Sequence, residues 1–228
     1  MQQYAIIVAG GTGTRMNNAM PKQFLPLQNK PILYYSIHAF VRVFPDIHIV
    51  LVMHKDYIKN VHAILIQFKD RIDLQIVEGG TTRFDSVKNG LACVPDNEES
   101  IVYVHDAARP FINTQLLQSL QKDCIANGNA IPVMPINESV RMQTSATQSA
   151  AVDRSQLRVV QTPQVFKSII LKKAFLQNYQ AAFTDEATVC ELDGATIFLS
   201  KGIEENIKIT TPNQLLLAER MMLTWEVD

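Results

Sequence analysis

The amino-acid sequence predicts an α/β protein: a mostly parallel, twisted sheet flanked by helices, with one protruding β-arm. Two observations carry this reading. Short β-branched runs alternate with amphipathic stretches through the first half of the chain, which is the signature of a parallel sheet covered on both faces. A polar stretch rich in Ser, Thr and Gln then interrupts the pattern before it resumes.

Tyr4 to Val8 (YAIIV) reads as a buried strand that ends in the glycine-rich turn Gly10 to Gly13. From Pro31 a helical pattern places Leu33, Ile37, Phe40 and Val41 on one face. Ile47 to Met53 is the second strand and Tyr57 to Phe68 the second helix. Leu74 to Val77 and Ser86 to Cys93 form the next strand–helix pair. Ile101 to Val104 (IVYV) follows, with a helix near Gln115 to Ala126. Ala130 to Ile136 reads as a further strand. The polar stretch at about 137–157 reads as a two-stranded arm, an element that is marginal alone and packs on something. Helices near Ser168 to Gln177 and Gln214 to Leu223 then flank strands near Thr196 to Leu199 and Asn206 to Ile209. With no internal repeat, residues 1–228 read as a single domain carrying the arm.

Composition narrows the function. The 228 residues are 47% apolar and 19% charged, with a net charge of -1. That balance gives no basic footprint for nucleic acid. Cys93, Cys124 and Cys190 are widely spaced and form no C-x-x-C pair, which disfavours structural zinc and a disulfide framework. The start MQQYAIIVAGG lacks the charged onset and small-residue ending of a signal peptide. No apolar run approaches a membrane span, so a cytoplasmic location is expected.

Right-handed crossovers place a ligand beyond the carboxyl ends of parallel strands, and the informative residues fall there. Ala9 to Met16 (AGGTGTRM) follows the first strand. Its glycines let backbone N–H groups approach phosphates closely, yet no G-K-[ST] follows and the dinucleotide fingerprint is incomplete. Arg15 in the turn and Lys22 in Pro21-Lys22-Gln23 bring two cations to this loop, as a triphosphate under in-line attack requires. Alone, Lys22 reads as a solvated surface lysine. Asp106 in VHDAARP (104–110) has the position of a Mg²⁺ ligand, and Arg109 that of a phosphate fork. Read alone, this Asp caps a helix and pairs with Arg109. His105 reads as a packed structural residue. Arg154 sits in the polar arm without a local partner, and Thr184-Asp185-Glu186-Ala187 reads as a helix N-cap. Lys208 is a snorkelling edge lysine or a placed phosphate ligand; periodicity does not separate the two.

Taken together, AGGTGTRM with PKQFLPL, VEGGTTRFDSV, VHDAARP, DRSQL with QTPQ, TDEA and ENIKIT resemble the 2-C-methyl-D-erythritol 4-phosphate cytidylyltransferases in order and over nearly the whole chain. The resemblance implies a Rossmann-like nucleotidyltransferase core that forms a homodimer through the β-arm. It implies that CTP lies along Ala9, Gly10, Gly11, Thr12, Gly13, Thr14 and Arg15, with cytosine near Gly80, Thr81 and Ser86 and with Ala107 also at the nucleotide. Arg15 and Lys22 would stabilise the pentacoordinate phosphorus, and Asp106 would help bind Mg²⁺. Arg154, from the arm of a second copy, and Lys208 would position the polyol phosphate, with Asp106, Arg109, Ser139, Thr162 and Thr184 lining its pocket.

The chain departs from the family's usual spelling in Ala9-Gly10-Gly11 and in the arm segment Asn137-Glu138-Ser139-Val140-Arg141, where Ser139 keeps a hydroxyl. The spelling AGGTGTRM is also similar to ribitol-5-phosphate cytidylyltransferases, whereas HDAARP and DRSQL sit nearer the methylerythritol enzymes. A nucleotide-binding module without catalysis is a third reading; it would not need Arg15, Lys22, Asp106 and Lys208 together.

Overall fold

The computed structural model describes residues 1–11, 20–68, 72–96 and 99–225. The first strand, β1 (Gln3–Ala9), is followed by a small hairpin, β2 (Pro26–Leu27) and β3 (Lys30–Pro31), and by α1 (Ile32–Val43). Next come β4 (His48–Met53), α2 (Ile58–Leu65), β5 (Leu74–Glu78), α3 (Arg83–Leu91), β6 (Ile101–Asp106), α4 (Thr114–Asn127) and β7 (Asn129–Pro135). A second hairpin, β8 (Arg141–Gln143) and β9 (Ser149–Ala151), leads into β10 (Arg158–Val160) and β11 (Gln164–Lys167). The chain closes with α5 (Ser168–Ala174), α6 (Glu186–Leu192), β12 (Leu199–Lys201) and α7 (Pro212–Met221).

The main sheet runs β10-β7-β11-β6-β1-β4-β5, with β12 paired to β7. Strands β6, β1, β4 and β5 are mutually parallel. Because β1 lies between β4 and β6, the chain leaves it toward one side and later fills the other. The carboxyl ends of β1 and β6 therefore border a topological switch point, where open α/β sheets leave a crevice.

Both faces of the sheet are covered, so its central strands are continuously apolar. Ala5, Ile7 and Ala9 of β1 join Leu33 and Phe40 of α1, Val61 of α2 and Leu117 of α4 in one core. Tyr4 and Ile6 point the other way, toward Phe84 and Val87 of α3, Leu171 of α5 and Val189 of α6. A smaller cluster packs Leu27, Ile32 and Phe111 against Ile209 and Ala218. The helix ends follow local chemistry. Asn113 accepts the Leu116 N–H at 2.8 Å to open α4, and Gly128, at φ +88°, closes it in the left-handed region.

The second half differs from the sequence expectation in three places. Strand β11 inserts antiparallel between β6 and β7; its four residues follow directly on Thr162-Pro163 and are too short to signal a strand. The strand expected at Thr196 to Leu199 begins only at Leu199, because the Asn129 carboxamide donates to the Thr196 carbonyl and accepts from the Phe198 N–H, each at 2.8 Å. The strand expected at Asn206 to Ile209 does not form. Its polar groups are taken by the loop ends of the sheet: Ile209 N–H donates to Ala108 at 2.9 Å, and the Asn206 carbonyl accepts from Arg109 at 2.7 Å. Lys208 is therefore carried on an extended segment across the carboxyl ends of the strands. Among the described residues, no helix is long and apolar enough to cross a membrane.

Candidate active site

A cavity of about 270 Å³ opens at the carboxyl ends of β1 and β6. Ala9, Gly10 and Gly11 form one wall and Gly80, Thr81 and Ser86 another, and Asp106, Ala107, Lys22, Arg83 and Lys208 also line it. Thr12, Gly13, Thr14 and Arg15 lie outside the described residues.

The first wall is built by Gln23. Its buried side chain donates to the Ala9 carbonyl at 2.7 Å, which folds the returning chain back onto the end of β1. Lys22 thereby comes to the cavity half-buried, unlike the solvated surface lysine it resembles when read alone. The second wall is the entry to α3. Thr82 caps the helix in a reciprocal box with Asp85, and the Ser86 hydroxyl accepts the Gly80 N–H at 3.1 Å while donating to the Thr82 carbonyl at 2.9 Å. A Cβ on Gly80 would lie 2.2 Å from the Asp85 Cβ, so only glycine lets the turn close this tightly.

Asp106 is the electrostatic centre. Lys208 Nζ lies 2.7 Å from its Oδ2, Arg83 Nη2 3.3 Å from its Oδ1, and Arg109 Nε 3.8 Å from its Oδ2. Burial alone would raise its pKa, but Arg83, Lys208 and Arg109 hold the carboxyl well below the usual range. Arg83 also forks onto Glu186, which is buried. Burial pushes the Glu186 carboxyl up, against the pull of Arg83. Three cations thus face two carboxylates, which suits the cluster to an incoming anion. Arg109 Nε is buried behind the cavity lining without a hydrogen-bond partner, its nearest acidic group being the Asp106 carboxylate.

His105 is fully buried and serves structure. Thr162 Oγ1 accepts the Asp106 N–H at 3.1 Å and lies 3.2 Å from His105 Nδ1, while His105 Nε2 lies 3.0 Å from the Arg109 carbonyl. The hydroxyl proton goes to Nδ1, which leaves Nε2 protonated and donating to Arg109. Burial pushes its pKa down to about 4. Since an unfolded histidine titrates near ~6.5, the unfolded chain takes up the proton first. Stability is whole above about pH 6.5 and falls by on the order of 3 kcal/mol as the pH drops toward 4. Urea unfolding between pH 7 and 4.5 is expected to show this slope, flattened in His105→Gln; an equal slope in both proteins would refute it.

The structure does not gather every residue singled out by sequence. Asp106, Lys22, Lys208, Gly80, Thr81, Ser86, Ala107 and Ala9 to Gly11 share the cavity. Thr162 stands behind it with its hydroxyl engaged by His105 and Asp106. Ser139 and Arg154 are exposed on the arm, where Arg154 donates to the Asn137 carbonyl, and Thr184 is exposed ahead of α6. Sequence reasoning missed Arg83 and Glu186 as site residues. A signal existed: Arg83 stands in the first turn of α3, where a cation opposes the helix dipole and needs compensation.

A glycine turn after the first strand, a cation-rich cavity at the switch point and one central carboxylate define the class: an α/β nucleotidyltransferase. The chain belongs to the 2-C-methyl-D-erythritol 4-phosphate cytidylyltransferase family, whose family model matches residues 3–224. It is 42% identical over 226 residues to the enzyme of that name from Phocaeicola vulgatus, covering 96% of this chain and 99% of that one. The protein of the same name from Azobacteroides pseudotrichonymphae is also 42% identical, over 222 residues, with 97% and 99% covered. Among solved structures, the Francisella tularensis 2-C-methyl-D-erythritol 4-phosphate cytidylyltransferase superposes with a TM-score of 0.78 at 28% identity, covering 96% of this chain and 99% of that one.

Proposed function

We propose that this protein transfers the cytidylyl group of CTP to 2-C-methyl-D-erythritol 4-phosphate, releasing pyrophosphate and supplying the non-mevalonate route to isoprenoids. The observation that carries this reading is the convergence of Lys208 and Arg83 on Asp106 in the cavity that Lys22 also lines, beside Gly10, Gly11 and Gly80. Two anions must meet for this reaction. At ~4 Å their repulsion is about 1 kcal/mol in water and about 4 kcal/mol at an effective dielectric near 20.

CTP lies along Ala9 to Arg15, with its base against Gly80, Thr81 and Ser86 and with Ala107 also at the nucleotide. A 4-phosphate oxygen forms the new bond to the α-phosphorus as the α–β bridging bond breaks, and the leaving pyrophosphate takes the electron pair. The nucleophile is already ionised, so no general base is needed, in keeping with a His105 that is neutral and turned into the fold. Arg15 and Lys22 stabilise the pentacoordinate phosphorus. Lys208, Arg109, Ser139 and Thr184 serve the polyol phosphate, together with Arg154 from the arm of a second copy, while Thr162 supports them from behind by holding the Asp106 N–H. Exposed Met142 on the arm and exposed Val159 on the edge strand β10 that follows it support packing of this region on that copy in a homodimer.

Mg²⁺ fits this cavity in one way. Asp106 is the only acidic residue lining it among the described residues, and no described group of three or more His, Cys, Asp or Glu is placed to hold a metal. One carboxylate with phosphate oxygens is an ordinary Mg²⁺ donor set. Asp106 would hold the ion through CTP's phosphates, and the ion would neutralise triphosphate charge. The proposed location is the cytoplasm, where CTP is supplied.

The test is pyrophosphate release with four nucleoside triphosphates against methylerythritol 4-phosphate and ribitol 5-phosphate, with Mg²⁺ or EDTA. Release is expected only with CTP, methylerythritol phosphate and Mg²⁺, from a protein that sediments as a dimer. A higher kcat/KM on ribitol 5-phosphate, or CTP binding without turnover, would overturn the assignment; a fully active monomer would remove Arg154 from the site.

A further inference from the structure

Arg83 stands where three parts of the site meet. It opens α3 directly after Thr82, so it belongs to the same short segment as the Gly80, Thr81 and Ser86 wall. Its Nη1 and Nη2 fork onto Glu186 at the start of α6, the Nη2 bond at 3.1 Å, and Nη2 also reaches Asp106 at the end of β6 at 3.3 Å. The backbone that carries Glu186 is fixed on both sides. The Gln164 side chain of β11 accepts the Ala187 N–H and donates to Asp185, both at 2.8 Å, so the first turn of α6 is pinned to the sheet. Both terminal nitrogens of Arg83 are thus occupied by carboxylates, although its side chain borders the cavity.

We propose that Arg83, locked by Glu186, is a positioning residue of the transfer reaction that orients Asp106 and through it Lys208. With Oδ1 of Asp106 turned to Arg83, Oδ2 is left facing Lys208. Glu186 neutralises Arg83, so the guanidinium steers the Asp106 carboxylate without displacing Lys208 from it. The same arrangement ties the wall on α3 to the end of β6 and the start of α6, so that nucleotide and polyol phosphate are held in one frame. The inference rests on the cytidylyl-transfer reading of this cavity.

The test is a double-mutant cycle in the full-length protein, with Arg83→Met, Glu186→Gln, their combination, and Arg83→Lys. Each is followed by kcat, KM for both substrates, CTP binding without the second substrate, and a thermal melt. Misplacing the Asp106–Lys208 pair is expected to lower kcat by about 10²-fold, while KM and Kd for CTP stay within about threefold. The double variant is expected to lose no more than the worse single variant, because the two residues act as one unit. Arg83→Lys keeps the charge but not the fork, and is expected to fold and recover only part of kcat. Additive losses, a loss confined to CTP affinity, or full activity of Arg83→Lys would overturn the proposal. Wild-type protein that releases no pyrophosphate would instead refute the cytidylyl-transfer reading, while the melts show whether a variant has merely unfolded.

Discussion

Lys208→Ala is expected to lower kcat by about 10²- to 10³-fold, the range for losing one preorganised charge at a developing anion. In the free protein this ammonium lies 2.7 Å from Asp106 Oδ2, and its side chain is 40% exposed. It is thus half-held and half-open, poised to exchange a carboxylate partner for a phosphate. Asp106 keeps Arg83 and Arg109 when Lys208 is gone, so the fold persists and the melting temperature changes little. The KM for the polyol phosphate is expected to rise while CTP binding is retained. Lys208→Arg keeps the charge on a longer, planar head and is expected to recover only part of the rate. Steady-state kinetics of the two variants decide the matter. Turnover of Lys208→Ala within threefold of wild type would remove this residue from the reaction.

The parts of this site that sequence could reveal are those whose chemistry is local. β1 is a run of apolar residues ending in glycines, and its place beneath the cavity follows from pattern alone. The α3 entry carries a local signal in Thr82 and Asp85, a capping box written within four residues, and α3 accordingly starts at Arg83 rather than at the expected Ser86. Lys208 was undecidable, because its partner is supplied from the end of β6 by the tertiary fold. Arg83 was overlooked for the same reason: its two carboxylates lie on β6 and α6. The expected strand at Asn206 to Ile209 failed on a related point. Its apolar alternation is real, but the Arg109 side chain takes the Asn206 carbonyl and the Ala108 carbonyl takes the Ile209 N–H, groups that a ladder would have paired. Periodicity registers which face is apolar, and it carries no record of side chains that compete for backbone hydrogen bonds.

Removing the Asp106 carboxylate is expected to be the most damaging single change to stability. Asp106→Ala would leave Arg83, Arg109 and Lys208 with Glu186 as the only ion-pair partner among the described residues. Breaking a buried pair from one side costs about 3–5 kcal/mol, because the stranded charge stays desolvated. For a chain of this length that is a fall of about 6–20 °C in melting temperature. Asp106→Asn keeps the shape but turns an amide N–H toward Lys208 or Arg83, so it is expected to recover little. The acid limb of stability should change as well. Arg83, Lys208 and Arg109 hold this carboxyl well below its usual value, so its contribution is whole above about pH 4 and lost as the pH falls further. That window lies below the one assigned to His105, so the two groups can be separated on one pH series. Without Mg²⁺, anions that occupy the cavity, CTP included, should stabilise Asp106→Ala more than wild type, because they replace the missing negative charge. Thermal melts with and without CTP test this. An Asp106→Ala protein as stable as wild type, or one that CTP fails to stabilise further, would mean that the three cations are sufficiently hydrated without Asp106.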